Sequence, residues 1–185
     1  MIKRRHILYL TISTALLILA CLADLAWGGI ADAEVMRHLR LPRMATALLA
    51  GAAMSLSGSQ MQSIFRNPLA DPHIMGISSG AALGAALTTM YAGASLGGSP
   101  VAIAAATGAA CAASIILYAS GRFRNASILL IFGVMLGFII TAIVSILQFS
   151  SDAESLKTFY SWSAGSFTNT TWTETAIIAV TLAAG

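Results

Sequence analysis

Charge is confined to short clusters in this sequence, and between them lie uncharged, mostly apolar runs at residues 7–27 (with Asp24 near one end), 44–64, 74–90, 101–120 and 127–149. A run of about 18 or more such residues is the length that crosses the hydrocarbon of a bilayer as a helix, with its backbone groups paired inside the segment. The expected fold class is therefore all-α, a polytopic transmembrane helical bundle. Composition agrees: 57% of residues are hydrophobic and 9% charged, with a mean hydropathy of +0.82, far from the balance of a soluble domain. A sixth run begins near Thr175 and reaches only Gly185, roughly half a crossing. The expectation is five complete spans plus part of a sixth, with residues 1–185 forming the amino-terminal fragment of one longer transmembrane domain.

Lys3, Arg4 and Arg5 ahead of an apolar run also open a secretory signal peptide, and the residues up to Cys21 resemble a poor lipoprotein cleavage site. The run continues to Trp27 and further spans follow, which favours an uncleaved first helix. Orientation follows from the cations, which concentrate on cytoplasmic loops. With the amino terminus inside, the inner face holds Lys3, Arg4, Arg5, Arg66, Arg122 and Arg124 against only Asp71. The outer face then holds Arg37, Arg40, Arg43 and Lys157 against Asp24, Asp32, Glu34, Asp152, Glu154 and Glu174. The asymmetry places the amino terminus in the cytoplasm, and no basic patch suggests nucleic acid.

Span ends carry local signals. Pro42 suits a first helical turn, Asp71-Pro72 and Ser99-Pro100 place a capping side chain before a proline, and Asn67-Pro68 ends the preceding helix. Small residues recur every fourth position at Ala47, Gly51, Ser55 and Ser59, at Gly76, Gly80 and Gly84, and at Gly133 and Gly137. That spacing keeps them near one face, where a neighbouring helix approaches closely enough to gain dispersion contacts that lipid does not oppose. Ser55, Ser57, Ser59, Gln60, Gln62 and Gln148 need partners at membrane depth, and bonds between helices are favoured over lining a solute path. Cys21 and Cys111 sit in different runs, with no CxxC or Cys/His spacing, and read as packing; His6, His38 and His73 are scattered, so no metal site is expected.

Residues 39–87 carry ordered motifs: Arg40-Leu41-Pro42-Arg43, Gly51-Ala52-Ala53, Ser57-Gly58, Gln62, Arg66-Asn67-Pro68-Leu69-Ala70-Asp71-Pro72 and Gly76-Ile77-Ser78-Ser79-Gly80-Ala81. In these the chain resembles the FecCD-type permeases of bacterial ABC importers, the class that imports iron–siderophore complexes, haem and cobalamin. Phe132-Gly133-Val134-Met135-Leu136-Gly137 and the WSAGSF stretch from Trp162 to Phe167 are similar as well. The resemblance implies ten spans per subunit and a second permease subunit, as a homodimer or heterodimer. It also implies two cytoplasmic ATPase subunits and a periplasmic or lipid-anchored substrate-binding protein, in the bacterial cytoplasmic membrane.

By the same resemblance, Arg40 and Arg43 would receive acidic residues of the binding protein, an alternative to anchoring a helix at the lipid headgroups. Asn125, Ala126 and Ser127 would lie at an inner gate, the fifth span would line the pathway, and residues 151–167 would form a short outer helix. The sequence has no GxxxxGK[ST] phosphate loop, so no cofactor is expected in the chain and ATP would be used by the partner subunits. The family's coupling helices would fall beyond Gly185, so this stretch alone is expected not to couple hydrolysis to transport. No catalytic constellation is evident, and an enzyme is not expected. The alternative of a secondary carrier or channel would need ionisable groups at mid-span or broken helices, for which the sequence offers little. Iron–siderophore complexes rank first as cargo, ahead of haem and cobalamin, although no residue distinguishes them.

Overall fold

A computed structural model of the chain describes residues 2–26, 33–68, 70–71, 73–91, 98–123, 125–168 and 170–184. Trp27, Asp32, Leu69, Pro72 and Arg124, which entered the expected span ends, motif and charge balance, lie outside these, as does the side chain of Lys3. Among the described residues all regular structure is helical: α1 (Ile2–Ala26), α2 (Ala33–Val35), a π-helical turn (Met36–Arg40), α3 (Leu41–Phe65), α4 (Ile77–Tyr91), α5 (Ser99–Arg122), α6 (Ala126–Phe149), α7 (Ala153–Ala164) and α8 (Trp172–Ala184). Three helices among the described residues are long and apolar enough to cross a membrane: Arg4–Ala26, Ser99–Arg122 and Ala126–Phe149.

Two of the five expected complete spans do not meet that standard. Helix α3 has the length, 25 residues, but its second half is diluted by Ser55, Ser57, Ser59, Gln60 and Gln62. Helix α4 has only 15 residues, which at 1.5 Å per residue is about 22 Å, short of the roughly 30 Å of hydrocarbon. The apolar run at 74–90 overcounted it because Ile74, Met75 and Gly76 belong to a turn.

The chain divides into two compact units, Met1–Ala53 with Ser166–Gly185, and Met54–Gly165. In the second unit α4 packs against α5, α6 and α7. The seam with α5 is built from absent side chains: a Cβ added to Gly80 would stand 2.6 Å from both Ala112 Cβ and Gly108 O, one on Gly84 would collide with Ala104 O, and one on Gly108 with Gly80 O. Against α6, a Cβ on Gly137 would stand 3.2 Å from Gly76 Cα, and one on Gly133 3.2 Å from Met75 Cα. With lipid outside, such close approach supplies dispersion in place of a hydrophobic drive. The buried cluster is correspondingly small-sided, with Ala85, Ala86, Val101, Ala105, Val144 and Phe159, and Trp162 packed against it.

Gly137 is the twelfth of the 24 residues of α6, so α4 starts beside the middle of that helix. Its starting turn needs Gly76 at φ +80°, a conformation that side chains disfavour. The non-helical stretch before it pairs its own backbone: Ala70 N–H donates to Asn67 O at 3.1 Å and Ile74 N–H to Asp71 O at 3.1 Å, while His73 N–H donates to Asp71 Oδ1 at 2.7 Å. Local pairing of this kind is what a break in a helical bundle requires where water is scarce.

Several local expectations change. Pro42 is not in a first turn; it lies inside a continuous helical run that begins at Ala33. Ser99 does not cap α5: Gly98 holds the cap position without a side-chain bond. Among the described residues Gly51 and Ser55 meet no close neighbour: a Cβ at Gly51 would find nothing within 4 Å and Ser55 is exposed, since four-residue spacing permits an approach without itself supplying the neighbour. Two serines of α3 bond within their own helix, Ser57 to Met54 O at 3.2 Å and Ser59 to Leu56 O at 2.9 Å, which satisfies a hydroxyl without another helix. Cys21 is half-buried and Cys111 exposed.

Candidate functional site

In the first unit the chain places the expected docking arginines around a π-helical turn. Proline has no N–H and its ring crowds the carbonyl four residues earlier, at a cost of about 3 kcal/mol in a regular helix interior. Ahead of Pro42 the helix widens, and Leu41 N–H donates to Met36 O, five residues back. Arg40 turns its guanidinium to the end of α1, donating from Nη1 to Leu25 O at 3.0 Å. A cation there meets carbonyls with no partner in their own helix and the negative end of the helix dipole. Arg43 approaches Asp24 at 3.9 Å with side chains 54% and 42% exposed, a contact that contributes about 0–1 kcal/mol. The two arginines therefore differ: Arg40 holds α1, and Arg43 reaches solvent beside a weak partner. Because the described helical run extends back to Ala33, neither sits in its first turn.

Two residues that sequence reasoning did not single out complete this turn. Arg37 is exposed and lines, with Glu34, Met36 and His38, a hollow of about 610 Å³. Trp172, at the start of α8, donates from Nε1 to Arg37 O at 2.9 Å. Deeper, the buried hydroxyls of Thr46 and Thr175 stand 2.8 Å apart. The Thr175 hydroxyl also lies 3.0 Å from Thr171 O and 3.5 Å from Pro42 O, so either hydroxyl of the pair can be the donor.

In the second unit, Asn125, Ala126 and Ser127 form the start of α6. The Asn125 side chain accepts from Ser127 N–H at 3.0 Å, an N-cap that gives these residues a structural role of their own. Helix α7 falls within the stretch expected to form a short helix. Its cap, Asp152, accepts from Ser155 N–H at 3.0 Å and Glu154 N–H at 3.1 Å. The bond from the Ser155 backbone is the main cause holding this carboxyl below its ordinary range, joined by the Ser155 side chain. Phe159 and Trp162 of α7 lie with ring centroids 6.4 Å apart, both in the cluster against α4, so these aromatics pack inward.

The break before α4 gathers polar groups. One hollow of about 420 Å³ is lined by Ser57, Gln62, Asp71, His73 and Ser78 among others. Another, of about 460 Å³, is lined by His73, Ser78, Ser79, Thr141, Trp162 and Ser163 among others. Ser79 and Thr141 bridge α4 and α6 at 3.2 Å. These hydroxyls, the amide, the carboxylate and the imidazole offer both donors and acceptors to a polar solute.

The model of the FecCD transport family matches residues 6–185. The molybdate import system permease protein of Haemophilus influenzae is 38% identical over 145 residues, which are 75% of this chain and 41% of that protein. The vitamin B12 import system permease protein of Salmonella paratyphi A is 33% identical over 180 residues, 92% of this chain and 55% of that protein. A solved structure described as an inward-facing conformation of a metal-chelate type ABC transporter superposes with a TM-score of 0.78 at 29% identity, covering 92% of this chain and 57% of that one. The chain thus spans about half the length of the relatives it matches. With a family match running almost from end to end, the chain belongs to the FecCD transport family.

Proposed function

We propose that this chain is permease sequence of an ABC importer in the bacterial cytoplasmic membrane, with its amino terminus in the cytoplasm. It works with a second permease subunit and two ATPase subunits that use ATP, and receives cargo from a periplasmic or lipid-anchored binding protein. The observation that carries this reading is the cationic outer turn: Arg37 and Arg43 are exposed on one helical run, suited to carboxylates of a docking partner. Arg40, bonded to α1, serves that dock by fixing the turn as well as by charge. Asn125, Ala126 and Ser127 form the inner gate in this reading, with the cap of α6 giving the gate a rigid edge.

The cargo is a metal-containing solute. An iron–siderophore complex, expected from the sequence, stands beside a corrinoid and a metal oxyanion, since relatives are named for vitamin B12 and molybdate import. The polar groups around the break before α4 suit any of these, which present oxygen or amide surfaces. The test is a charge exchange: Arg43→Glu in the full-length protein should weaken binding of its binding protein, and an acid-to-lysine change on that protein should restore it. No loss on Arg43→Glu, or no rescue from any acidic position on the binding protein's lobes, would refute the dock.

A further inference from the structure

The π-helical turn leaves the Arg37 carbonyl without the backbone donor of a regular helix. In a regular helix Arg37 O would accept from the N–H of residue 41, but Leu41 N–H goes to Met36 O. In a continued π pattern the donor would be residue 42, which is proline and has none. A helix carbonyl stripped of both candidates is open to a donor from elsewhere, and the indole N–H of Trp172, an exposed side chain, supplies one at 2.9 Å from 135 residues away. Beneath it, Thr175 stands against Thr46 at 2.8 Å and within 3.5 Å of Pro42 O, all three residues buried. The start of α8 is thus bonded to the turn at a point that exists only because Pro42 follows it.

We infer that Trp172 is a positioning residue for the arginine-bearing turn: its indole N–H on Arg37 O holds the π-helical geometry of Met36–Arg40 and so sets how Arg37 and Arg43 are presented together. This rests on the proposed docking role of those arginines. A one-residue slip of the turn toward α geometry would rotate Arg37 by about 100° relative to Arg43, separating the two cations around the helix. Helix α8 consequently senses docking, since a partner that stabilises the turn also stabilises the Trp172 contact, and the reverse holds by linkage.

The test uses the full-length protein assembled with its partner subunits in lipid nanodiscs, with its own binding protein as the probe. Trp172→Phe keeps the ring and removes the N–H. It should raise amide exchange at residues 37–41 and weaken docking, each by about fivefold, as expected for one neutral hydrogen bond, with exchange in α6 unchanged. Pro42→Ala restores a backbone N–H able to reach Arg37 O, so in that background Trp172→Phe should have little further effect. An unchanged turn in Trp172→Phe, or an effect as large with Pro42→Ala as without it, would overturn the inference. Arg43→Glu separates the two readings. If it weakens docking and Trp172→Phe does not, the positioning role fails; if the turn loosens while neither variant alters docking, the dock fails and the positioning of the turn stands.

Discussion

Replacing Gly80 with alanine should destabilise the bundle, whereas the same change at Gly51 should not, although both glycines sit in four-residue ladders of small residues. The new methyl at position 80 would stand 2.6 Å from Ala112 Cβ and from Gly108 O, against about 3.5–4.0 Å for a comfortable carbon contact. Helices α4 and α5 must therefore part by about 1 Å, a gap that forfeits a quarter to a half of each contact along the seam. Overpacking of this kind costs about 1–3 kcal/mol, and the better helix propensity of alanine offsets about 1 kcal/mol of it. The expected net effect of Gly80→Ala is a loss of up to about 2 kcal/mol. At Gly51 nothing among the described residues lies within 4 Å of the added methyl, so no contact within this stretch opposes the propensity gain of about 1 kcal/mol. Reversible unfolding of the full-length protein in mixed SDS micelles, followed by circular dichroism, measures both. A Gly80→Ala protein as stable as the parent, with Gly51→Ala destabilised, would refute the reasoning.

Further outcomes follow from the caps and the bridging hydroxyls. Asn125→Ala should destabilise the start of α6 by about 1 kcal/mol while Asn125→Asp should not, a difference visible in amide exchange at residues 126–130. Asp152 has its carboxyl held below the ordinary range, so its stabilisation of α7 is present above that range and lost as pH falls through the lowered value. Amide exchange at residues 154–156 should accelerate on acidification in the parent and much less in Asp152→Asn. The Ser79–Thr141 bridge at 3.2 Å should give a coupling of about 0.6 kcal/mol in a double-mutant cycle with Ser79→Ala and Thr141→Val, measured by the same unfolding assay. Asp24→Asn should leave stability within about 0.5 kcal/mol, because its pair with Arg43 is exposed.

Helix positions were legible because hydropathy and chain length act locally: the runs at 101–120 and 127–149 became α5 and α6 with ends shifted by a few residues. The glycines at 76, 80 and 84 and at 133 and 137 stand at close approaches of neighbouring backbone, which only missing side chains allow. What composition could not separate was Gly51 from Gly80, because small-residue spacing describes one face of one helix and the neighbour belongs to another. The short α4 was hidden by Ile74 and Met75, apolar residues placed in a turn. The π-helical turn was hidden more deeply. Pro42 announced an interrupted backbone, and both a helix start and a widened turn satisfy a missing N–H; the choice depends on Trp172, 130 residues away in sequence. Read alone, that tryptophan is an ordinary interfacial aromatic. The usable signal was the orphan carbonyl: a proline inside a helical run asks which distant donor replaces it.

The import reading is tested most directly by uptake into sealed proteoliposomes holding the full-length protein with its partner subunits, with ATP trapped inside and labelled cobalamin, iron–siderophore complex or molybdate outside. The account predicts that one of these enters only when both ATP and the binding protein are present, and that Arg43→Glu reduces the rate. Accumulation without ATP or without the binding protein, or failure of all three cargoes in an assembled and ATP-hydrolysing complex, would contradict it.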